Sequence, residues 1–286
     1  MAIYDIDSLI SRTTALATPP TTYYQLNSAI NNPATSLKDI GDIINQDVSL
    51  TAQLLRIANS VFFNFPAQIT TVEQAITIVG IQQLRELALA CTVLNAFPSI
   101  PDSQININHF WQHSLGVGVA SRVIAGIRKE SNVERYYVLG LLHDLGRIVM
   151  CLGDPAASYE LLQQAHQSRQ LLHHLELERW QIDHGEIGAA FLKNWNLPAS
   201  IYQPIRDHHH PEKAEEYQDE CAIIHVADII VHALEMGGSG EKRIAPLSDT
   251  AWQRLGISPE QLPAIAEEIN IQYNKSIELF KSNLHQ

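Results

Sequence analysis

The chain has 286 residues, 45% of them hydrophobic and 17% charged, which is the balance of a globular protein and excludes a disordered or fibrous one. That length allows two domains or one large domain with a split core. The formal net charge of −12 opposes non-specific attraction to nucleic acid or to anionic membranes.

In chain order, residues 1–10 carry Asp5 and Asp7 and no basic run, which is not the pattern of a signal peptide. Ser36 and Asp39 read as a capping box, followed by Leu37, Ile40, Ile43 and Ile44 on one helical face. Asp47 caps a second helix carrying Leu50, Leu54, Ile57 and Ala58. Thr71 opens a third with Val72, Ala75, Ile76 and Val79, and Gly80 stops it. Residues 84–94 form a largely buried helix, too short and too polar for the roughly 20 residues of a membrane span. Pro98 and Pro101 then punctuate the chain, making 99–108 a linker and a lobe boundary.

Helical spacing resumes over 111–127, 135–152, 156–170, 184–195, 200–209 and 221–236. Gly237-Gly-Ser-Gly240 reads as a flexible break. Trp252, Leu255 and Ile257 lead to a last helix over 262–279. No alternating run long enough for a strand occurs, so the fold class is all-α. The expected organisation is an N-terminal helical lobe over 1–105, a metal-binding helical lobe over 106–236 and a helical tail over 237–286 packed on the same unit. Cys91, Cys151 and Cys221 are odd in number, far apart and in apolar surroundings, as reduced core thiols of a cytoplasmic protein would be.

The chemistry lies in the histidines, of which there are 13. His113 stands near the start of a helix, His143 and Asp144 form a doublet, His184 precedes Gly-Glu, and His208, His209 and His210 form a run. Asp228 interrupts the apolar segment 222–231, where a lone ionised carboxylate would cost several kcal/mol unless paired or metal-bound. Imidazole and carboxylate together suit iron, manganese, zinc or nickel. Each residue also has an ordinary reading. His113 could be a packed core histidine, the doublet a helix cross-link, and the run a helix C-terminal cap. His109, His166, His173, His174 and His285 are read as ordinary. His225 and His232 share a face with Asp228 and are read as core polar contacts, with partners behind the ligands as the alternative. Arg147 is read either as a phosphate clamp or as a cation near a helix end.

The ordered series His, His-Asp, His, His-His, Asp resembles the ligand series of the HD phosphohydrolase superfamily. Residues 47–60 (DVSLTAQLLRIANS) and 72–84 (VEQAITIVGIQQL) resemble the signatures of its HDOD relatives, with Ala58, Asn59, Ser60, Ala75, Ile76 and Gly80 carrying most of the likeness. The resemblance runs over about 16–234. It implies an HD-domain-like helical bundle with an N-terminal helical lobe, acting in bacterial signal transduction. It also implies a pair of divalent transition-metal ions, iron or manganese before zinc or nickel. One ion would use His113, His143, Asp144 and Asp228, and the second Asp144, His184, His208 and His209. His210 falls where relatives place an acid and is excluded.

Two functions follow from the resemblance. The first is a regulatory HDOD module with a protein partner. The second is a metal-dependent phosphohydrolase acting on a phosphorylated small molecule, with Asp144 and Arg147 as its catalytic residues. The Gly-Tyr-Pro signature of cyclic-di-GMP phosphodiesterases is absent, and Pro211 is followed by Glu-Lys-Ala-Glu-Glu-Tyr. A helix-turn-helix over 36–60 is the third reading, and a single cation, Arg56, in its second helix argues against nucleic acid.

Overall fold

The computed structural model describes residues 6–14, 21–32, 34–59, 69–97 and 105–281. Ser60, Pro98, Pro101, His285 and the 99–104 part of the expected linker lie outside the described residues. In chain order the helices are α1 (Ile6–Thr14), α2 (Thr21–Asn31), α3 (Leu37–Asn45), α4 (Val48–Ala58), α5 (Val72–Val79), α6 (Ile81–Ala96), α7 (Ile107–Ile127) and α8 (Val133–Leu142). They continue as α9 (Leu145–Gly153), α10 (Pro155–Gln167), α11 (Leu172–Trp180), α12 (His184–Asn194), α13 (Ala199–Arg206), α14 (Gln218–Ala233), α15 (Asp249–Leu255) and α16 (Leu262–Lys281). No strand occurs among the described residues, and the fold is all-α. The chain divides into a larger unit, Met1–Leu16 with Ser99–Ile269, and a smaller unit, Ala17–Pro98 with Asn270–Gln286.

In the smaller unit the caps follow from the sequence. Ser36 Oγ accepts the Asp39 N–H at 3.2 Å, and Asp39 Oδ2 accepts the Ser36 N–H at 2.9 Å, which completes the box before α3. Asp47 Oδ1 accepts from the Leu50 N–H at 3.0 Å at the start of α4. Thr71 caps α5, and Gly80 ends it at φ 96°. Ile40, Ile44, Leu50, Leu54, Val72, Ala75 and Ile76 are buried, whereas Leu37, expected on the same face, is 54% exposed because it sits in the first turn of α3. Asn59 has a structural task. Its side chain donates to the Ile69 carbonyl and accepts from the Ile69 N–H, both at 2.7 Å, and so ties the end of α4 to the chain entering α5.

In the larger unit α7 is buried along most of its length and packs on α8 and α14. The single helix expected over 135–152 is two helices, α8 and α9, broken at His143–Asp144. Asp144 takes φ −94°, ψ 6°, outside the helical well, and this turns the chain between them. Likewise the helix expected over 200–209 stops at Arg206, which leaves His208 to His210 in a turn. Helices α1, α2, α11 and α15 were not expected. Helix α1 packs on α9 and α12, with Leu9 fully buried and Thr13 Oγ1 donating to the Val149 carbonyl at 3.3 Å.

Helices α9 and α12 cross at two glycines. A Cβ on Gly146 would lie 1.9 Å from the His184 carbonyl oxygen, and one on Gly188 would lie 3.0 Å from the Gly146 nitrogen. Gly126, in α7, has nothing within 4 Å of a built Cβ. Gly146→Ala is therefore expected to destabilise the protein by about 1–3 kcal/mol, because backbone must move. Gly126→Ala should stabilise it by about 0.5–1 kcal/mol through its helix propensity. Urea midpoints of the two variants check the pair, and equal midpoints would contradict the close crossing.

Candidate metal centre

Helix ends place most of the candidate ligands. His143 ends α8, Asp144 precedes α9, His184 opens α12, and His208 and His209 follow α13, while His113 and Asp228 come from within α7 and α14. The entry into α12 is fixed by a second capping box. Asp183 Oδ1 accepts the Glu186 N–H at 3.0 Å, and Glu186 Oε2 accepts the Asp183 N–H at 3.2 Å.

All seven residues singled out as ligands converge. They form two groups, Asp144 with His184, His208 and His209, and His113 with His143 and Asp228, and the donor atoms of each group lie within 4.8 Å of one another. Asp144 faces both groups. Its Oδ1 lies 2.9 Å from His184 Nε2, and its Oδ2 lies 3.4 Å from His143 Nε2 and 3.9 Å from His113 Nε2. Asp228 Oδ1 lies 3.0 Å from His113 Nε2 and 3.6 Å from His143 Nε2. His184 Nε2 and His209 Nε2 approach to 2.9 Å.

Burial would push both carboxyls up, yet both stand well below the usual carboxylate range. The Arg147 guanidinium and the His143 and His184 rings hold Asp144 down, and the His232, His113 and His143 rings hold Asp228 down. Burial pushes His208 down to about 3 and lowers His113 and His209 as well, so these rings are neutral.

The donor set fits divalent transition metals. His143 Nδ1 donates to the Gly140 carbonyl at 2.7 Å and His208 Nδ1 to the Ile205 carbonyl at 2.6 Å. Those bonds fix the tautomers, leaving each Nε2 buried without a hydrogen-bond partner. His184 Nδ1 donates to Glu176 Oε2 at 2.6 Å, the carboxylate–histidine pairing that orients metal-ligating imidazoles. No thiol joins either group, and Cys91, Cys151 and Cys221 are free and buried.

The HDOD domain model matches residues 16–211 of this sequence. The chain belongs to the HDOD family. A protein from Shewanella amazonensis SB2B, assigned by inference to the phosphohydrolases, has a similar structure at 24% identity and a TM-score of 0.74, covering 96% of this chain and 97% of that one. An HDOD domain protein of unknown function from Geobacter sulfurreducens is similar at 23% identity and a TM-score of 0.70, covering 98% and 95%. At these identities the likeness is one of fold. An uncharacterized protein of Treponema pallidum (strain Nichols) is 28% identical over 218 residues, covering 76% of this chain and 42% of that protein. The chain thus spans about two fifths of that relative's length.

Three residues outside the candidate ligands touch the site of this HDOD chain: Glu176, His173 and His232. Glu176, on the unexpected α11, is 1% exposed and accepts from both the His184 backbone N–H at 2.9 Å and its ring. His173, one turn earlier, was read as ordinary, yet it is buried and its ring stacks on His209 at 4.1 Å. His232 Nδ1 donates to Asp228 Oδ1 at 2.9 Å, and its ring lies 4.4 Å from that of His113. The spacing of His173 and Glu176, three residues apart on one helical face, was the signal available. His225 is the polar contact expected of it. It donates to the His208 carbonyl and accepts from the Ser248 N–H, each at 3.0 Å.

Arg147 is buried, with Nε 3.3 Å from Asp144 Oδ1 and NH1 donating to the Ser239 carbonyl at 3.2 Å, so it stands as the internal counter-charge of Asp144. The same bond revises the reading of 237–240 as a flexible break. Ser239 is fully buried, and the Gly238 N–H donates to the His109 carbonyl at 3.0 Å. Gly237, at φ 71°, leaves no room for a Cβ, which would come within 2.4 Å of His109 O and His113 N. Gly237 serves close approach, whereas Gly238 has open space where its Cβ would stand. Gly237→Ala should cost about 1–3 kcal/mol in a urea melt. Backbone amides of 237–240 should also exchange with deuterium more slowly than an unstructured peptide, and free exchange there would contradict the docked strap.

Proposed function

We propose that this chain is a regulatory HDOD module whose larger unit holds two divalent transition-metal ions. The observation that carries the reading is the Asp144 carboxylate, one oxygen turned to each group of imidazoles. His113, His143, Asp228 and Asp144 would hold one ion, and Asp144, His184, His208 and His209 the other. An all-nitrogen-and-oxygen set favours iron or manganese, with zinc or nickel as the other candidates. When bound, such ions supply Lewis acidity and lower the pKa of water. The output is carried by a protein partner in a signalling pathway. The charge of −12 speaks against nucleic acid. No helix among the described residues is long and apolar enough to cross a membrane, and the free thiols fit the cytoplasm.

Elemental analysis of protein purified under metal-replete conditions should find about two ions per chain, and Asp144→Asn should abolish most of that content. Glu176→Gln should weaken metal binding about 10–100-fold while leaving the circular dichroism spectrum unchanged, because the amide oxygen can still accept the His184 N–H while the charge that orients its ring is lost. Parent protein that stays metal-free after dialysis against manganese or ferrous iron would defeat the reading.

A phosphohydrolase is the second reading, favoured by the shared carboxylate and by the name of the neighbour from Shewanella amazonensis SB2B. Recognition of a cyclic dinucleotide is poorly supported. The turn Pro211–Lys213 follows the histidine run, Glu212 lies 3.4 Å from His210, and Asp219 is held by Arg128 at 3.0 Å and Arg254 at 3.4 Å. Cyclic-di-GMP cleavage should be negligible and hydrolysis of simple phosphoesters weak, in assays with manganese or ferrous iron restored. Robust cleavage that vanishes in Asp144→Ala would overturn the regulatory reading and make this an enzyme.

A further inference from the structure

A pocket of about 470 Å³ opens beside the metal centre, within the larger unit, between the start of α7, the end of α10 and the segment after α14. That volume lies in the range of small-molecule sites, roughly 300–1,000 Å³. Its inner wall includes His232. The ring of His232 is hydrogen-bonded through Nδ1 to Asp228, and its Nε2 is buried with no partner. The pocket is thus one imidazole away from a candidate ligand carboxylate.

The other walls carry two acids and two cations, of which Arg243 also donates to the Ser168 carbonyl at 3.4 Å. Lys242 and Arg243 are adjacent and exposed, and His109 and His166 line the same space. The acid next to them is turned to backbone. Glu241 Oε2 accepts the Leu172 N–H at 2.6 Å, and its Oε1 accepts the N–H groups of Lys242 and Arg243 at 2.8 and 3.0 Å. Those three bonds satisfy the carboxylate and fix the backbone that carries the two cations. Glu235, at the pocket's edge, is the remaining acid. Residues 235–244 lie beyond residue 211, where the family match ends.

We propose that this pocket receives the phosphoryl group of a small anionic ligand, with Lys242 and Arg243 as its recognising cations and His232 as the group between it and the metal centre. An ammonium and a guanidinium side by side suit a phosphate dianion, to which each gives charge-assisted hydrogen bonds. The proposal rests on the metal-centre reading for what the ligand meets at the pocket floor.

The test uses the full chain loaded with manganese, inorganic phosphate as the probe, and the double variant Lys242→Ala/Arg243→Ala. Manganese-induced broadening of the phosphate ³¹P line reports both affinity and approach to the ions. The double variant should bind phosphate about 100-fold more weakly at unchanged manganese content, since each lost charged hydrogen bond is worth about one power of ten. Lys242→Glu/Arg243→Glu should bind it more weakly still. Equal affinity in parent and double variant would overturn the pocket while leaving the metal centre standing. A parent that takes up no manganese would instead defeat the metal-centre reading. Phosphate calorimetry on the metal-free proteins then decides the pocket, which stands if binding is lost in the double variant and falls if it is not.

Discussion

The larger unit is organised around the problem of keeping two ionised carboxylates inside a helical core. Asp144 and Asp228 are 2% and 6% exposed, and an isolated charge at such depth would cost several kcal/mol, a large share of a protein's stability. The solution places basic groups around both oxygens of Asp144. His184 and Arg147 face one oxygen, and His143 and His113 face the other. The chain break between α8 and α9 exists at the residue that needs it. A continuous helix through 143 and 144 would point successive side chains about 100° apart, and the doublet could not share a centre. The glycine crossing at Gly146 and Gly188 then brings α12 close enough for His184 to reach Asp144.

The candidate ligand histidines are buttressed from the backbone. His143 and His208 each donate to a carbonyl three residues earlier, and His225 fixes the carbonyl of His208 itself. Each imidazole is thus aimed by the turn that carries it, which is the pre-organisation that metal affinity requires. The strap at 237–240 closes the far side, joining His109 on α7 to Arg147 on α9.

Much of this was legible in the residues, for reasons that differ by element. The capping boxes at Ser36 and the cap at Thr71 are local hydrogen-bond chemistry and survive folding unchanged. The seven convergent residues stood out because polar groups interrupted apolar helices. Glu176 and His173 did not, since α11 reads Leu-His-His-Leu-Glu-Leu-Glu-Arg-Trp, with charge on every side and little apolar periodicity to announce a helix. At 237–240 glycine permits both mobility and close approach, and only the backbone around Gly237 distinguishes them. Helix α1 is short, and its burial depends on α9 and α12, far away in sequence.

The placement of α1 and α14 sets a lower limit on the autonomous unit. The family match covers residues 16–211, but Leu9 and Thr13 of α1 lie against α9, and Asp228 comes from α14. A fragment trimmed to the family's borders would strip the cover from the helix that begins at Asp144 and leave His113 and His143 facing an empty position opposite. The smallest piece of this chain that contains the complete centre therefore begins before residue 9 and, to include the strap, extends beyond residue 240.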